Sequence, residues 1–353
     1  MRRPLILLLA ALASIVAGDF VVWRWAEGQL AGGFAAWSDG MRAQGWTVAA
    51  GPAERGGWPL AAELTLPDLN VAGGDAMIPA GMAWTGARVT LRVDLLHPRV
   101  ASVRLGGRQA LRVGGAPEIP FTADRFVVTV PLAYGEPPRS AALDAARIRL
   151  GPPADGLTVG LLQGEATWRA DPGAREPAAS VRLSAEAIAL PPPPAPQAAL
   201  GGHIGSATVE GVLAGPLPAS AGSSYATAAA WRDGGSTLEL RRIAVGWGPL
   251  GVTGGATLTL DGALQPAGTA NLRLVGYDDA LAALVGGHVI QANAARAAKA
   301  VLGLLARPAQ DGGAAGVEVP VTLRDQALAL GPFRFATVPK LVWPDAPGSA
   351  NVD

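Results

Sequence analysis

Three histidines, His97, His203 and His288, are the natural starting point for chemistry. They lie far apart in sequence, and none has a second ligand at metal-site spacing. His97 precedes Pro98, which suits a turn, and His288 follows two glycines at a helix start. Asp278-Asp279 offers two neighbouring carboxylates, but a helix cap ahead of an apolar run explains them without catalysis. Ser223-Ser224-Tyr225 lacks the strained setting of a nucleophile elbow. Gly312-Gly313 lacks the lysine and spacing of a phosphate loop. The chain has no cysteine, so disulfides, thiolate catalysis and Cys-ligated zinc are excluded. The expectation is a protein that is not an enzyme, with no catalytic, cofactor-binding or metal residues to name and no cofactor.

The composition points the same way. Of 353 residues, 50% are hydrophobic and 16% charged, too apolar for a disordered chain. Lys and Arg total 28, matched by 28 Asp and Glu. A nucleic-acid partner needs a basic surplus, because phosphate neutralisation supplies most of the affinity. Forty-seven glycines and 30 prolines suit many turns between short strands.

The elements that would position a site begin at the N-terminus. Arg2 and Arg3 precede an apolar run from Pro4 to Gly18, which Phe20-Val21-Val22 resumes after Asp19. A retained anchor needs about 20 mostly apolar residues, and residues 1–22 supply them. A cleaved signal peptide is the competing reading, with Val16-Ala17-Gly18 as the cut. Either way the body lies outside the cytoplasm. The basic start predicts an inner-membrane, single-pass protein with its N-terminus in the cytoplasm and its body in the periplasm. Trp23 and Trp25 fall where an aromatic belt belongs. Over residues 23–45, Trp23, Ala26, Leu30, Phe34, Trp37 and Met41 recur at helical spacing. Glu27, Gln29, Ser38 and Arg42 are assigned to the opposite face, and Gly45 is the stop. This amphipathic helix either lies on a membrane or partner, or packs on the protein's own β body; the second is preferred, because its polar face lacks Lys/Arg enrichment.

The remainder reads as strands. Val89, Leu91, Val93 and Leu95 alternate with Thr90, Arg92 and Asp94. The pairs Leu238/Leu240, Leu258/Leu260 and Leu272/Leu274, and the run Val317, Val319, Val321, Leu323, behave likewise. Such alternation marks antiparallel sheet with one face buried. Turns are expected at Asp233-Gly234-Gly235, Asp261-Gly262 and Pro266 with Gly268. A helical hairpin is expected at 278–306, capped by Asp278 or Asp279 and broken at Gly286-Gly287. Its second helix would place Ile290, Ala294, Ala297, Val301 and Leu304 on one face. The fold class is therefore mainly β, an extended or curved antiparallel sheet body with an N-terminal transmembrane helix and a small helical hairpin insertion. Pro191–Pro194 with Pro196 cannot form helix or central strand. The stretch 191–199 reads as a linker between two β-rich halves, 46–190 and 200–353.

Several motifs carry a resemblance. Gly57-Trp58-Pro59-Leu60 opens the first strands after the Trp-rich helix. Trp231-Arg232-Asp233-Gly234-Gly235 is followed by Val245-Gly246-Trp247-Gly248-Pro249-Leu250. Gly255, Leu258-Thr259-Leu260-Asp261-Gly262 and Gln265-Pro266-Ala267-Gly268 continue it. Leu323-Arg324-Asp325-Gln326-Ala327-Leu328, Leu330-Gly331-Pro332 and Val338-Pro339 come last. Together they resemble the membrane-anchored bacterial family catalogued as domain of unknown function 2125. The resemblance implies a Gram-negative envelope location and carries no catalytic residues. Gln326 stands where that pattern usually has Gly, which weakens the expectation of a tight turn there. On the residues alone, Trp247 is expected to anchor its turn by burial.

The anchored β body, its Leu/Val-rich strand faces and a mean hydropathy of +0.28 suggest binding or transfer of lipid or another hydrophobic envelope component. The hairpin at 278–306 would line or close the groove. The alternative is a non-enzymatic scaffold or assembly factor that binds envelope proteins.

Overall fold

The computed structural model describes residues 2–341 and 343, apart from 75–80, 115, 134–135, 137, 153–154, 170–176, 192–198, 216–223, 289, 308–315 and 331–332; side chains of 2–11 are outside the description. The chain packs as two compact units, Met1–Gly73 with Met82–Leu143, and Asp144–Asp353 with Gly74–Gly81. Strands take 56% of it, so the mainly β class holds. Every strand pairing whose register is described below is antiparallel.

The first unit opens with one uninterrupted helix, α1 (Arg2–Ala43). Gly45, at φ +87°, ends it with a conformation that a side chain disfavours. Strands β1 (Thr47–Ala49) and β2 (Glu54–Gly56) share the outer edge of β3 (Ala61–Gly73). Then β4 (Met82–Asp94) and β5 (Val100–Val113) follow as a meander. The far edge of β5 takes β6 (Ile119–Thr122) at one end and β7 (Arg125–Pro131) at the other. Leu64, Leu66, Leu69 and Val71 of β3 are all buried. Period-two alternation alone would put the last two opposite the first two. Asp68 sits between them at φ +47°, a left-handed conformation Asp tolerates, and it restores the buried face.

Strand β8 (Ser140–Leu150) spans the division between the units. The second unit runs β9 (Leu157–Trp168), β10 (Pro177–Ala189), β11 (His203–Ala214), β12 (Thr237–Trp247), β13 (Leu250–Leu260) and β14 (Pro266–Val275), each paired with the next. Helix α2 (Ser224–Asp233) lies between β11 and β12. Helices α3 (Tyr277–Gly286) and α4 (Ala292–Leu305), with short β15 (Ala306–Arg307), connect β14 to β16 (Gly316–Arg324). Strands β17 (Ala327–Leu330) and β18 (Phe333–Thr337) complete the order.

Several expectations change. The proline run does not separate two halves. Ala189 pairs with His203, and Leu190 N–H donates to Gly202 O at 2.8 Å, so the run connects two neighbouring strands. Most of it, 192–198, lies outside the described residues. Pro266 and Gly268 are not a turn but residues of β14, with Gly268 opposite Leu258. The α3 N-cap is Gly276 at φ +69°, without a side-chain cap. Asp278 and Asp279 instead occupy the first turn, where the helix dipole favours them, and Asp278 pairs with Lys299 of α4 at 3.1 Å. The break falls at Gly286–Gly287 as expected, but α4 starts at Ala292 rather than at 289. Among the helix-face positions expected there, the side chains of Ala294, Ala297, Val301 and Leu304 are outside the description. Between β16 and β17 a tight two-residue turn forms despite Gln326, with Asp325 at φ +51° and Gln326 at φ +62°.

Among the described residues no helix is long and apolar enough to cross a membrane. The span expected over 1–22 draws half its length from residues whose side chains are outside the description.

Candidate functional site

The histidines do not come together. His97 is exposed in the β4–β5 turn, His203 is exposed at the start of β11, and His288 is exposed after α3 at φ +59°. Among the described residues no group of His, Asp and Glu is arranged to hold a metal. Ser224 and Tyr225 begin α2, with Tyr225 packed against Ala228, Leu264 and Trp343. Ser223 and Gly312-Gly313 lie outside the described residues.

The feature that stands out is a groove in the first unit. Its floor is the sheet face carried by β3, β4, β5 and β7, and α1 forms its wall. Its volume is about 750 Å³, within the few-hundred to thousand Å³ typical of small-molecule sites. From β4 come Trp84, Val89, Leu91 and Val93, with Leu95 just beyond the strand. These include the four alternating residues that the sequence placed on one face. Leu66 and Leu69 of β3, Val103 of β5 and Val130 of β7 extend the floor. Among the described residues, Ser102 and Gln29 are the polar side chains on the lining besides its tryptophans, and none is charged. Such a surface offers dispersion contacts and release of water to a hydrocarbon, and little to a polar ligand.

The opposite sheet face is polar. Thr65 and Thr90 hydroxyls lie 3.0 Å apart. Arg92 donates to Glu63 and also reaches Asp94 at 3.4 Å. The Glu63 hydrogen bond raises the Arg92 pKa further above its ordinary value, against the opposing effect of burial.

Two side-chain hydrogen bonds fasten the α1 wall to the sheet. Trp23 Nε1 donates to Gly56 O at 3.1 Å, and Arg42 Nη2 donates to Val48 O at 2.8 Å. Between them, Ala26, Leu30, Gly33, Phe34 and Trp37 line the groove. Gly33 borders open space, since a Cβ built there meets nothing within 4 Å. The sequence reading of α1 needs correction at three residues. Glu27, 1% exposed, and Ser38 are buried rather than solvated, and Gln29 lines the groove. The buried arc of α1 is wider than one stripe, because one side meets β3 and the next side borders the groove. Glu27 takes Arg24 Nη1 at 3.1 Å on one oxygen; the other oxygen is buried without a partner.

The expected role for the hairpin also changes. Helices α3 and α4 stay in the second unit, where Tyr277 and Leu302 pack against Val317, Val319 and Val321. They cover that sheet and take no part in the groove.

The other motif residues build turns. Trp247 is half-buried and anchors its turn by donating Nε1 to Gly201 O at 2.8 Å. Gly248 sits at φ +54°, and a Cβ there would come within 2.5 Å of Leu200 O. Asp261 Oδ1 accepts from the backbone N–H groups of Ala263 and Gln265 at 2.8 and 2.9 Å. The Gln265 amide then pairs with both backbone groups of Leu341, at 2.8 and 3.1 Å. Trp343 Nε1 donates to Leu264 O at 3.1 Å. These contacts hold the chain's last described segment against α2 and the β13–β14 turn.

Fold and site together define a class: an antiparallel β protein with an apolar groove walled by a long N-terminal helix. The chain belongs to the family described as an uncharacterized protein conserved in bacteria, domain of unknown function 2125, whose model matches residues 23–339. No curated protein and no solved structure matches it.

Proposed function

We propose that this protein is a membrane-anchored periplasmic lipid-binding protein whose groove under α1 takes the hydrocarbon chain of an envelope lipid. The observation that carries this reading is the apolar groove of about 750 Å³ with no charged side chain on its lining among the described residues. Burying a methylene there, relative to leaving it in water, would contribute about 0.8 kcal/mol. No step of bond chemistry is part of the role; the protein binds or passes on a hydrophobic molecule without acting as an enzyme. The anchor is the apolar N-terminal part of α1, with Arg2 and Arg3 on the cytoplasmic side and the sheet-bearing units in the periplasm. Large apolar side chains exposed on that part of the helix, Ile15, Phe20 and Val21 among them, support this placement.

Native mass spectrometry of the detergent-extracted full chain tests the binding. Co-purified lipid, or uptake of added phosphatidylglycerol or phosphatidylethanolamine, is the expected result. A clean apo mass with no uptake would sink the reading. A C-terminal reporter checks the topology, and activity confined to the cytosol would overturn the location.

A further inference from the structure

The edge of the first unit where α1 leaves the sheet carries a second surface. Trp23 Nε1 bonds Gly56 O, which sets the turn 57–60 beside the point where the apolar N-terminal part of α1 departs. Leu95 N–H donates to Leu60 O at 3.0 Å, tying the β4–β5 turn to the same place. Leu132 N–H donates to Arg99 O at 2.7 Å, bringing the end of β7 there as well. Trp58, Leu60 and Leu96, 48%, 61% and 75% exposed, project from these turns, and Trp25 of α1 is 63% exposed. Exposed Arg55, His97 and Arg99 stand among them. Exposed Glu54 lies next to Arg55; large apolar groups with arginines among them are what the headgroup boundary of a bilayer accepts.

The groove reaches the surface at this same edge. Val22, Pro98 and Leu132 belong to its lining and are exposed. We infer that Trp58, Leu60 and Leu96 form a hem resting in the outer face of the membrane that α1 enters, and that the groove opens there. Lipid then enters by its acyl chain straight from the leaflet, without crossing water. The occupant of the hem is the phospholipid bilayer itself. The continuity of these turns with the apolar stretch of α1 argues for it. The delivery route rests on the proposed lipid-binding role, and the docking of the hem rests only on the proposed membrane anchor.

Because the chain has no cysteine, Leu96→Cys gives a single labelling site. The full chain is reconstituted in nanodiscs of phosphatidylethanolamine and phosphatidylglycerol, with an environment-sensitive fluorophore at that position. Spin-labelled lipid should quench it strongly, and should leave the same probe at Gln44→Cys, an exposed site at the opposite end of α1, unquenched. Equal quenching at both sites, or none at position 96, would overturn the hem. A phosphatidylglycerol with a photoactivatable acyl chain reads the route. Crosslinks to groove peptides should fall by well over roughly tenfold in the Leu60→Asp/Leu96→Asp variant in nanodiscs, since two leucines are taken from an apolar setting. The same lipid in detergent micelles should crosslink both proteins equally. An equal loss in micelles would show that the turns only shape the groove, and would overturn the route. If the wild-type chain takes up lipid from neither source, the lipid-binding role and the delivery route fall together. Quenching at position 96 then decides the hem alone.

Discussion

Both units lay helix against antiparallel sheet, and they do it to opposite effect. In the second unit, α3 and α4 bring Tyr277 and Leu302 down onto Val317, Val319 and Val321, and the valines are buried almost completely. In the first, α1 is fastened near Trp23 and Arg42, and the stretch between carries Ala26, Gly33 and Gln29 beside Leu91 and Val93. Between those two fastenings the wall leaves open space over the sheet face. Unfilled apolar volume forgoes dispersion contacts and weakens a fold. A helix held at two places with space kept between them leaves the groove that the proposed lipid would fill.

That contrast can be broken from either side. The largest effect is expected from Gly33→Phe, which puts a ring into the open space beside the wall. Lipid retention, read by native mass spectrometry, should fall by about a hundredfold or more, near 2.7 kcal/mol, while helicity by circular dichroism holds or rises, since Gly is a poor helix residue. Retained binding would mean that lipid sits elsewhere. Next comes Val317→Ala, which opens a void under the hairpin and should cost about 2 kcal/mol in denaturant unfolding with lipid binding unchanged. Leu91→Ala removes more side chain, yet borders space that is already open. Its stability cost should stay below about 1 kcal/mol, since little new cavity forms, and its main effect should be on lipid retention. A cost as large as that of Val317→Ala would mean the groove is closed in solution. The smallest change is Gln326→Gly in the β16–β17 turn. Relieving a left-handed non-glycine residue should add roughly 0.5–1 kcal/mol to stability, visible as a higher denaturation midpoint with no change in binding.

Much of the fold was legible because it rests on short-range periodicity. Val89, Leu91, Val93 and Leu95 alternate, and the structure puts all four on the groove. The hairpin showed itself through helical spacing and the Gly286-Gly287 break. The groove was not legible, because emptiness depends on how far apart two elements are held. Its lining is drawn from α1, β3, β4, β5 and β7, and no local pattern marks the set. Glu27 misled for a related reason. A carboxylate at helical spacing from other polar residues reads as solvated, and only the packing of α1 on β3 reveals that it is buried. The available clue was the run of small residues between the large ones, Gly28, Ala31, Gly32 and Gly33 among Leu30, Phe34 and Trp37. Asp278 and Asp279 were read as caps because carboxylates commonly serve there, whereas Gly276 reached the left-handed geometry without a side chain.

The unbroken course of α1 from Arg2 to Ala43 has a mechanical consequence. Forty-two residues at a rise of about 1.5 Å each make a rod on the order of 60 Å long, its one proline, Pro4, confined to the first turn where it makes no joint. On the proposed anchoring, leaning the N-terminal end of such a rod would load the Trp23–Gly56 fastening first, so bilayer thickness and lateral pressure would act on the groove through that one contact.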